Sequence, residues 1–262
     1  MHKWNPEQYA KHSAAQLAWA RELIARLQLR GDESVLDVGS GDGKVTAEIA
    51  AAVPRGSVVG IDGSREMVEF ASAHYDARRS PNLEFVCMDA QRIELDRRFE
   101  VVFSNAALHW IEDHPAILKG VSRVMRRGGR LIISCGGRGN AAEILEAVQA
   151  VTAKDRWQRF FVGFRFPYHF YGPEQYARWL PEAGLAALRV ELVPKDMTLS
   201  GAEGLAAWIR TTWLPYTEQV PETEREESIQ EIVSEYASRF PADAAGKIHV
   251  KMVRLEVEAL KP

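Results

Sequence analysis

Ser34-Val35-Leu36-Asp37-Val38-Gly39-Ser40-Gly41-Asp42-Gly43-Lys44 is the stretch on which the fold is decided. Val35, Leu36 and Val38 suit a buried parallel strand: aliphatic, nearly continuous and bounded by chain breakers. Three glycines at alternate positions then form a turn, and Val45, Ile49 and Val53 follow at helical spacing. A strand, a glycine loop and a helix start make a small-molecule site, because backbone without side chains approaches a ligand closely and free N–H groups face it. The dinucleotide fingerprint G-x-G-x-x-G would require glycine where Lys44 stands, and the phosphate-cradling G-x-x-x-x-G-K-[ST] does not occur. The chain instead offers G-x-G-x-G behind the acid Asp37. Val58-Val59-Gly60-Ile61-Asp62 reads as a second strand ending on a carboxylate, at the distance where such folds hold ribose hydroxyls.

Outward from this stretch, strands and helices alternate. Asn82–Cys87, Phe99–Ser104 and Arg130–Cys135 read as strands three to five, with a helix from Pro115 to Arg127 that Gly128-Gly129 stops and whose C-terminal dipole Arg126 and Arg127 suit. Such alternation implies a doubly wound, mostly parallel sheet whose ligand crevice lies at the carboxyl ends of the strands. Before it, a helix is expected over about 6–29, with Trp19, Leu23 and Leu27 on one stripe and Tyr9, His12 and Gln16 on a more polar face. After it come a loop at 136–140, a helix to about 155, and an aromatic stretch from Trp157 to Pro173 interleaved with arginines. A helix over 174–183, an alternating strand over 188–193, helices near 202–212 and 222–239, and a last alternating strand over 247–258 complete seven strands. The last strand's alternation suggests one wetter face, as on an edge or antiparallel strand.

The chain has 262 residues, 46% of them hydrophobic, enough for one large domain with an insert. Lys plus Arg number 33 against 36 Asp plus Glu, a formal charge of −3 without a basic cluster, so neither nucleic acid nor a membrane surface is an expected partner. No apolar run approaches the roughly 18 residues of a membrane span, and the N-terminus has no apolar signal region, so a cytoplasmic protein is expected. Cys87 and Cys135 each end a strand and read as small buried hydrophobes; no zinc-ligand spacing is present and no metal is expected.

Leu36-Asp37-Val38-Gly39-Ser40-Gly41-Asp42-Gly43, with Gly60-Ile61-Asp62-Gly63-Ser64 and Met67, resembles the cofactor site of class I S-adenosylmethionine-dependent methyltransferases. The resemblance implies a seven-stranded Rossmann-like α/β fold with S-adenosyl-L-methionine as cofactor and S-adenosyl-L-homocysteine as product. It implies that the loop at Asp37, Gly39, Ser40 and Gly41 lies against the methionine end, that Asp62 with Gly63, Ser64 and Met67 holds the ribose region, and that Asp89 and Ala90 meet the adenine. In related enzymes the N-terminal segment is a lid. The expected organisation is therefore a lid helix over 1–30, a cofactor-binding core over 31–137, and a remainder over 138–262 with a cap at about 138–172 and 195–245, inserted before the last strand.

Phe103-Ser104-Asn105-Ala106-Ala107-Leu108-His109-Trp110 leaves strand four and should project over the cofactor, with Asn105 at its ammonium group and His109 and Trp110 beside the transferable methyl. This segment is similar to those of the trans-aconitate and juvenile hormone acid methyltransferases, and Gln16 matches the lid glutamine of the latter subgroup, implicated in holding the substrate carboxylate. Gln16, His109 and Trp110 are thus the catalytic candidates. Tyr9, Arg165, Tyr168, His169, Tyr171, Trp213 and Tyr216 are candidates for contacting a small-molecule substrate, in a monomer or homodimer. A carboxylic acid ordinarily ionises at about pH 4, so at neutral pH it needs only orientation and water exclusion to attack a sulfonium methyl. An N-, O- or C-methyltransferase of another metabolite, with His109 as base, stays open. So do a non-catalytic cofactor-binding protein and, against Lys44, a nicotinamide enzyme.

Replacing Asp62 with alanine is expected to weaken cofactor binding roughly 10- to 100-fold, the worth of charge-assisted hydrogen bonds. Unchanged affinity by titration calorimetry would remove the ribose assignment.

Overall fold

The computed structural model describes residues 14–262 apart from 76, 77 and 79. Helix α1 (Ala14–Leu27) leads into β1 (Ser34–Val38), α2 (Lys44–Ala52), β2 (Ser57–Asp62), α3 (Arg65–His74) and β3 (Leu83–Cys87). The chain then crosses back through β4 (Phe99–Asn105), α4 (His114–Val124) and β5 (Met125–Gly136). After α5 (Ala142–Thr152), the short α6 (Asp155–Gln158) and α7 (Pro173–Glu182) comes β6 (Ala186–Leu199). Helices α8 (Gly201–Thr212), α9 (Leu214–Thr217) and α10 (Glu222–Arg239) separate it from β7 (Ile248–Leu260). Tyr9 and His12 lie outside the described residues.

The seven strands form one sheet in the order β3-β2-β1-β4-β5-β7-β6, parallel from β3 to β5 and antiparallel at both edges of β7. The winding reverses between β1 and β4, so the crevice outside their carboxyl ends is the ligand position for this topology. Side chains alternate across the sheet. Leu36 and Val38 face a core shared with Ile117 and Leu118 of α4 and Tyr176 and Leu180 of α7. Val35 and Val58 face the opposite layer, built from Leu23 and Leu27 of α1 and Ile49 and Val53 around α2. Each fully buried Leu or Ile adds about 2 kcal/mol, so both layers hold the strand ends in place. A third cluster joins α5, α8 and α10 to the start of β7 through Trp157, Trp208, Trp213, Tyr236, Val250 and Met252.

Three local expectations are corrected. Helix α4 stops at Val124, because Met125 is extended (φ −75°, ψ 146°) and pairs with Phe99. Arg126 and Arg127 therefore lie on the strand, and the helix C-terminus has Arg123 in its last turn and Lys261, whose Nζ donates to Ser122 O and Met125 O at 2.6 and 3.1 Å. Cys87 is exposed, since β3 is the edge strand and ends at the crevice, whereas Cys135 is buried as expected. Strand β7 is antiparallel but interior. Its charged face, Arg254 and Glu256, is buried under α1 and beside β6, where Arg26 and Arg189 pair with Glu256.

The segment after β4 is pinned from behind by His114. Its Nε2–H donates to Leu108 O at 2.9 Å and its Nδ1 accepts from the Tyr176 hydroxyl at 2.7 Å. Burial holds its pKa down at about 4, so the ring is neutral at physiological pH. Tyr176→Phe leaves the buried Nδ1 without this donor and is expected to lower stability by about 1–3 kcal/mol. Urea unfolding checks this; an unchanged midpoint would show that the bond adds nothing.

Candidate functional site

A cavity of about 800 Å³ opens at the carboxyl ends of β1, β2 and β4, within the size range of small-molecule sites. Its first wall is the glycine loop. Gly39 has φ 83°, and a Cβ there would lie 2.1 Å from the Ala107 Cβ, so no other residue lets the β1 and β4 loops meet this closely. Gly41 has φ 54° and a Cβ on it would meet nothing within 4 Å, because that side is the cavity.

Asp62 ties this loop to the next. Its Oδ2 accepts from Gly41 N–H at 2.9 Å and its Oδ1 from Ser64 N–H at 2.8 Å. Burial raises its pKa while these two bonds oppose the shift. Each carboxylate oxygen keeps a further lone pair for a ribose hydroxyl. Ser64 caps α3 by accepting from Met67 N–H at 3.3 Å. Asp89 caps the turn at Ala90–Arg92 through Gln91 N–H at 2.9 Å. Gly63, Ser64, Met67, Asp89 and Ala90 all line the cavity, as does the exposed Cys87.

Asp37 is buried, accepts from the Thr46 hydroxyl at 2.7 Å, and is pushed up to about 7 by burial, with the charge of Asp62 adding to the shift. Ser40 Oγ is buried with no hydrogen-bond partner among the described residues. A polar atom left unmet beside a glycine cradle, with carboxylates on two strand ends, fits a ligand rich in hydroxyl and amino groups.

The second wall leaves β4. Asn105 Oδ1 accepts from Arg254 at 3.3 Å, and Ala106, at φ 58°, turns the chain so that His109 and Trp110 line the cavity. His109 is half-buried at the cavity wall, and desolvation there together with the charge of Arg254 holds its pKa down at about 3. Its Nδ1 accepts from Gly136 N–H at 3.3 Å, which leaves the proton of the neutral ring on Nε2. Across from it, His169 N–H donates to His109 O at 2.8 Å. Tyr168 lies 4.7 Å from Trp110, stacks on Phe170 at 5.5 Å and meets Trp213 edge-on at 5.8 Å.

The structure therefore brings together every cofactor candidate, His109, Trp110, Tyr168, His169 and Trp213. It does not bring Arg165, Tyr171 or Tyr216 to the cavity. Tyr168, His169 and Phe170 line the cavity in succession, Tyr168 stacked on Phe170 and His169 on Tyr171, and the lining ends before Tyr171. Tyr171 instead donates to Glu112 O at 2.9 Å and packs on Trp179. Tyr216 packs on Phe164, and Arg165 is exposed. The backbone of Gln16 belongs to the first turn of α1; its side chain, like Tyr9, is outside the described residues. Arg254 lines the cavity as well, together with Phe170, Met197, Trp208 and Met252, none of which sequence reasoning singled out. Arg254 stands among other charges of the last strand, Lys251, Glu256 and Glu258, and is set apart only once β7 is seen to be interior.

A family model described as a methyltransferase domain matches residues 35–129, the glycine loop through the start of β5. An uncharacterised methyltransferase of Schizosaccharomyces pombe is 31% identical over 79% of this chain and 79% of its own length. A trans-aconitate 2-methyltransferase of Deinococcus radiodurans is 30% identical over 99% of this chain and 98% of its own. Among solved structures, a phosphoethanolamine N-methyltransferase of Haemonchus contortus in complex with S-adenosylhomocysteine superposes with TM-score 0.61 at 18% identity, covering 98% of this chain and 57% of that one. The chain belongs to the class I S-adenosylmethionine-dependent methyltransferases and resembles their trans-aconitate group. Its cofactor is S-adenosylmethionine, and S-adenosylhomocysteine is the product.

The raised Asp37 pKa has a stability sign. An acid whose folded pKa rises from 3.8 to about 7 costs stability as pH climbs between those values, and the full cost stands above 7. Unliganded Asp37→Asn should therefore be more stable than wild type at pH 8, on the order of 1–3 kcal/mol, with the gain fading toward pH 4. Thermal unfolding across this range checks it; no gain at pH 8 would show that Asp37 is solvated.

Proposed function

We propose that this methyltransferase transfers its methyl group to the carboxylate of a small organic acid, forming a methyl ester. The observation that carries the reading is the state of His109. A general base for an amine or phenol must take a proton, but His109 already carries its proton on Nε2, has Nδ1 occupied by Gly136 N–H, and is kept neutral by desolvation and by Arg254. It is a donor, and a donor suits an acceptor that arrives ionised.

When bound, S-adenosylmethionine supplies a methyl group on a sulfonium, already activated for displacement. The chain's own part is then to orient the acceptor and exclude water. His109 and the indole of Trp110 offer N–H donors to acceptor oxygens, in numbers small enough not to over-stabilise the ground state. Tyr168, Phe170 and Trp213 form an apolar wall that excludes water and strengthens those contacts. The Deinococcus relative, named for trans-aconitate, points the same way, since its named substrate is itself a carboxylic acid.

The test is a methyl-transfer screen over a panel of carboxylic acids and amines with labelled cofactor. The expected product is base-labile and releases methanol, and at saturating cofactor and acceptor the rate stays level between about pH 6.5 and 8.5, since the nucleophile is ionised throughout. Transfer to amines alone, with a rate climbing tenfold per pH unit, would overturn the reading.

A further inference from the structure

Asn140 lines the cavity from the loop between β5 and α5, and it is 6% exposed. One end of its side chain is locked. Oδ1 accepts from Val253 N–H of β7 at 3.0 Å, and Gly137 N–H donates to Val253 O at 2.9 Å, so the loop is paired to the strand through both backbone groups of one residue. An N–H donor on Oδ1 allows the amide only one orientation, and Nδ2 is turned to the other side. No described residue accepts from Nδ2. The described side-chain atoms that are sealed in without a hydrogen-bond partner are Ser40 Oγ, Asp42 Oδ2 and Trp157 Nε1. Nδ2 is not one of them, so its two N–H groups open on the cavity.

The surroundings keep that donor in place. A Cβ on Gly136 would lie 3.0 Å from Asn140 Nδ2 and 2.7 Å from the Phe170 ring. Gly136 N–H donates to His109 Nδ1 at 3.3 Å. The Asn140 amide, the His109 ring and Phe170 thus gather around one bare backbone position. Ala141, the next residue, also lines the cavity and is held left-handed at φ 55°, ψ 29°. A residue with a Cβ takes that conformation only under constraint, and such constraint collects at ligand sites. A nearly buried amide whose N–H groups meet no protein acceptor is costly until a ligand oxygen arrives. A carboxylate returns more than a neutral carbonyl does, because its hydrogen bonds are charge-assisted.

We propose that the Asn140 carboxamide donates to the carboxylate of the methyl acceptor and, beside His109, sets the preference for an acid over its neutral counterpart. This rests on the ester-forming reading above. The methionine part of the cofactor also carries a carboxylate, so the experiment separates the two sources.

Full-length wild type, Asn140→Asp and Asn140→Ala are compared. Aspartate keeps an oxygen for Val253 N–H but exchanges both donors for a second oxygen, which is ionised at about pH 8. Each protein is assayed with the panel acid that wild type turns over fastest and with the primary amide of that acid as a neutral inhibitor. Calorimetry follows S-adenosylhomocysteine and methylthioadenosine, which lacks the amino-acid part. The expected acid KM rises roughly 10-fold in Asn140→Ala and roughly 100-fold in Asn140→Asp, where a like charge replaces the donor. Amide inhibition of Asn140→Asp should stay within about 3-fold of wild type, since the amide can donate to the new carboxylate, and both calorimetric affinities should stay within about 3-fold. S-adenosylhomocysteine affinity that falls in step with the acid KM, with methylthioadenosine unchanged, would overturn the proposal and assign Asn140 to the donor's carboxylate. An unchanged acid KM in Asn140→Asp, or acid and amide weakened alike, would overturn it in favour of a strut between the loop and β7. Because acid and amide are compared within one protein, partial loss of folded protein does not imitate the expected result. If wild type methylates no acid in the panel, the ester-forming reading falls and this proposal with it; if it does and Asn140→Asp keeps its KM, only the role of Asn140 falls.

Discussion

Asp62 is the joint on which the site depends. One carboxylate ties the loop leaving β1, through Gly41, to the start of α3, through Ser64. The loop could not come so near without glycine at position 39, where Ala107 from the β4 side leaves no room for a methyl group. Two neighbouring strands, a helix start and the crossing loop are thus locked by one acid and one missing side chain. Each Asp62 oxygen still has a lone pair beyond these two bonds, at the edge of the cavity.

The site is assembled at some expense to the fold. Asp37 and Ser40 are buried polar groups that the protein satisfies only partly: one carboxylate oxygen of Asp37 takes the Thr46 hydroxyl, and Ser40 Oγ takes no described partner. Binding groups left short of partners are destabilising until a ligand arrives. The compensation lies in the two apolar layers, where Leu36 and Val38 on one side and Val35 and Val58 on the other are almost wholly removed from water. His114 adds a second rigid point, because its neutral ring holds the turn at Leu108–Trp110 against α4 and α7.

What was legible in the sequence was local. The strand, the glycines, the helix after them and the acids ending β2 and β3 occupy short contiguous stretches, and each meets its neighbours through backbone geometry alone. The aromatic stretch was only half legible. Its composition announced a wall, but that Tyr168 faces the cavity and Tyr171 does not is fixed by contacts with Trp110 and Trp179 from elsewhere in the chain. Arg254 was not legible at all. An alternating strand with charges reads as half-wet, and only the insertion of β7 between β5 and β6, under α1, buries that face. The end of α4 was misread for a similar reason, since Lys261, far along the chain, stands with Arg123 where Arg126 and Arg127 were expected.

The position of β7 also has a temporal side. It is the last strand in sequence, yet it lies between β5 and β6, which precede it. During synthesis the outer edge of β5 stays unpaired while α5 to α10 emerge, and an unpaired strand edge is a template for pairing with another chain. The glycine loop and Asp62 come from the first strands and need nothing from the C-terminal third. The wall of the cavity built by the glycine loop and Asp62 is thus encoded well before the wall to which Arg254 belongs. The strand order itself leaves that edge of β5 open until the end of synthesis, and only the last strand closes it.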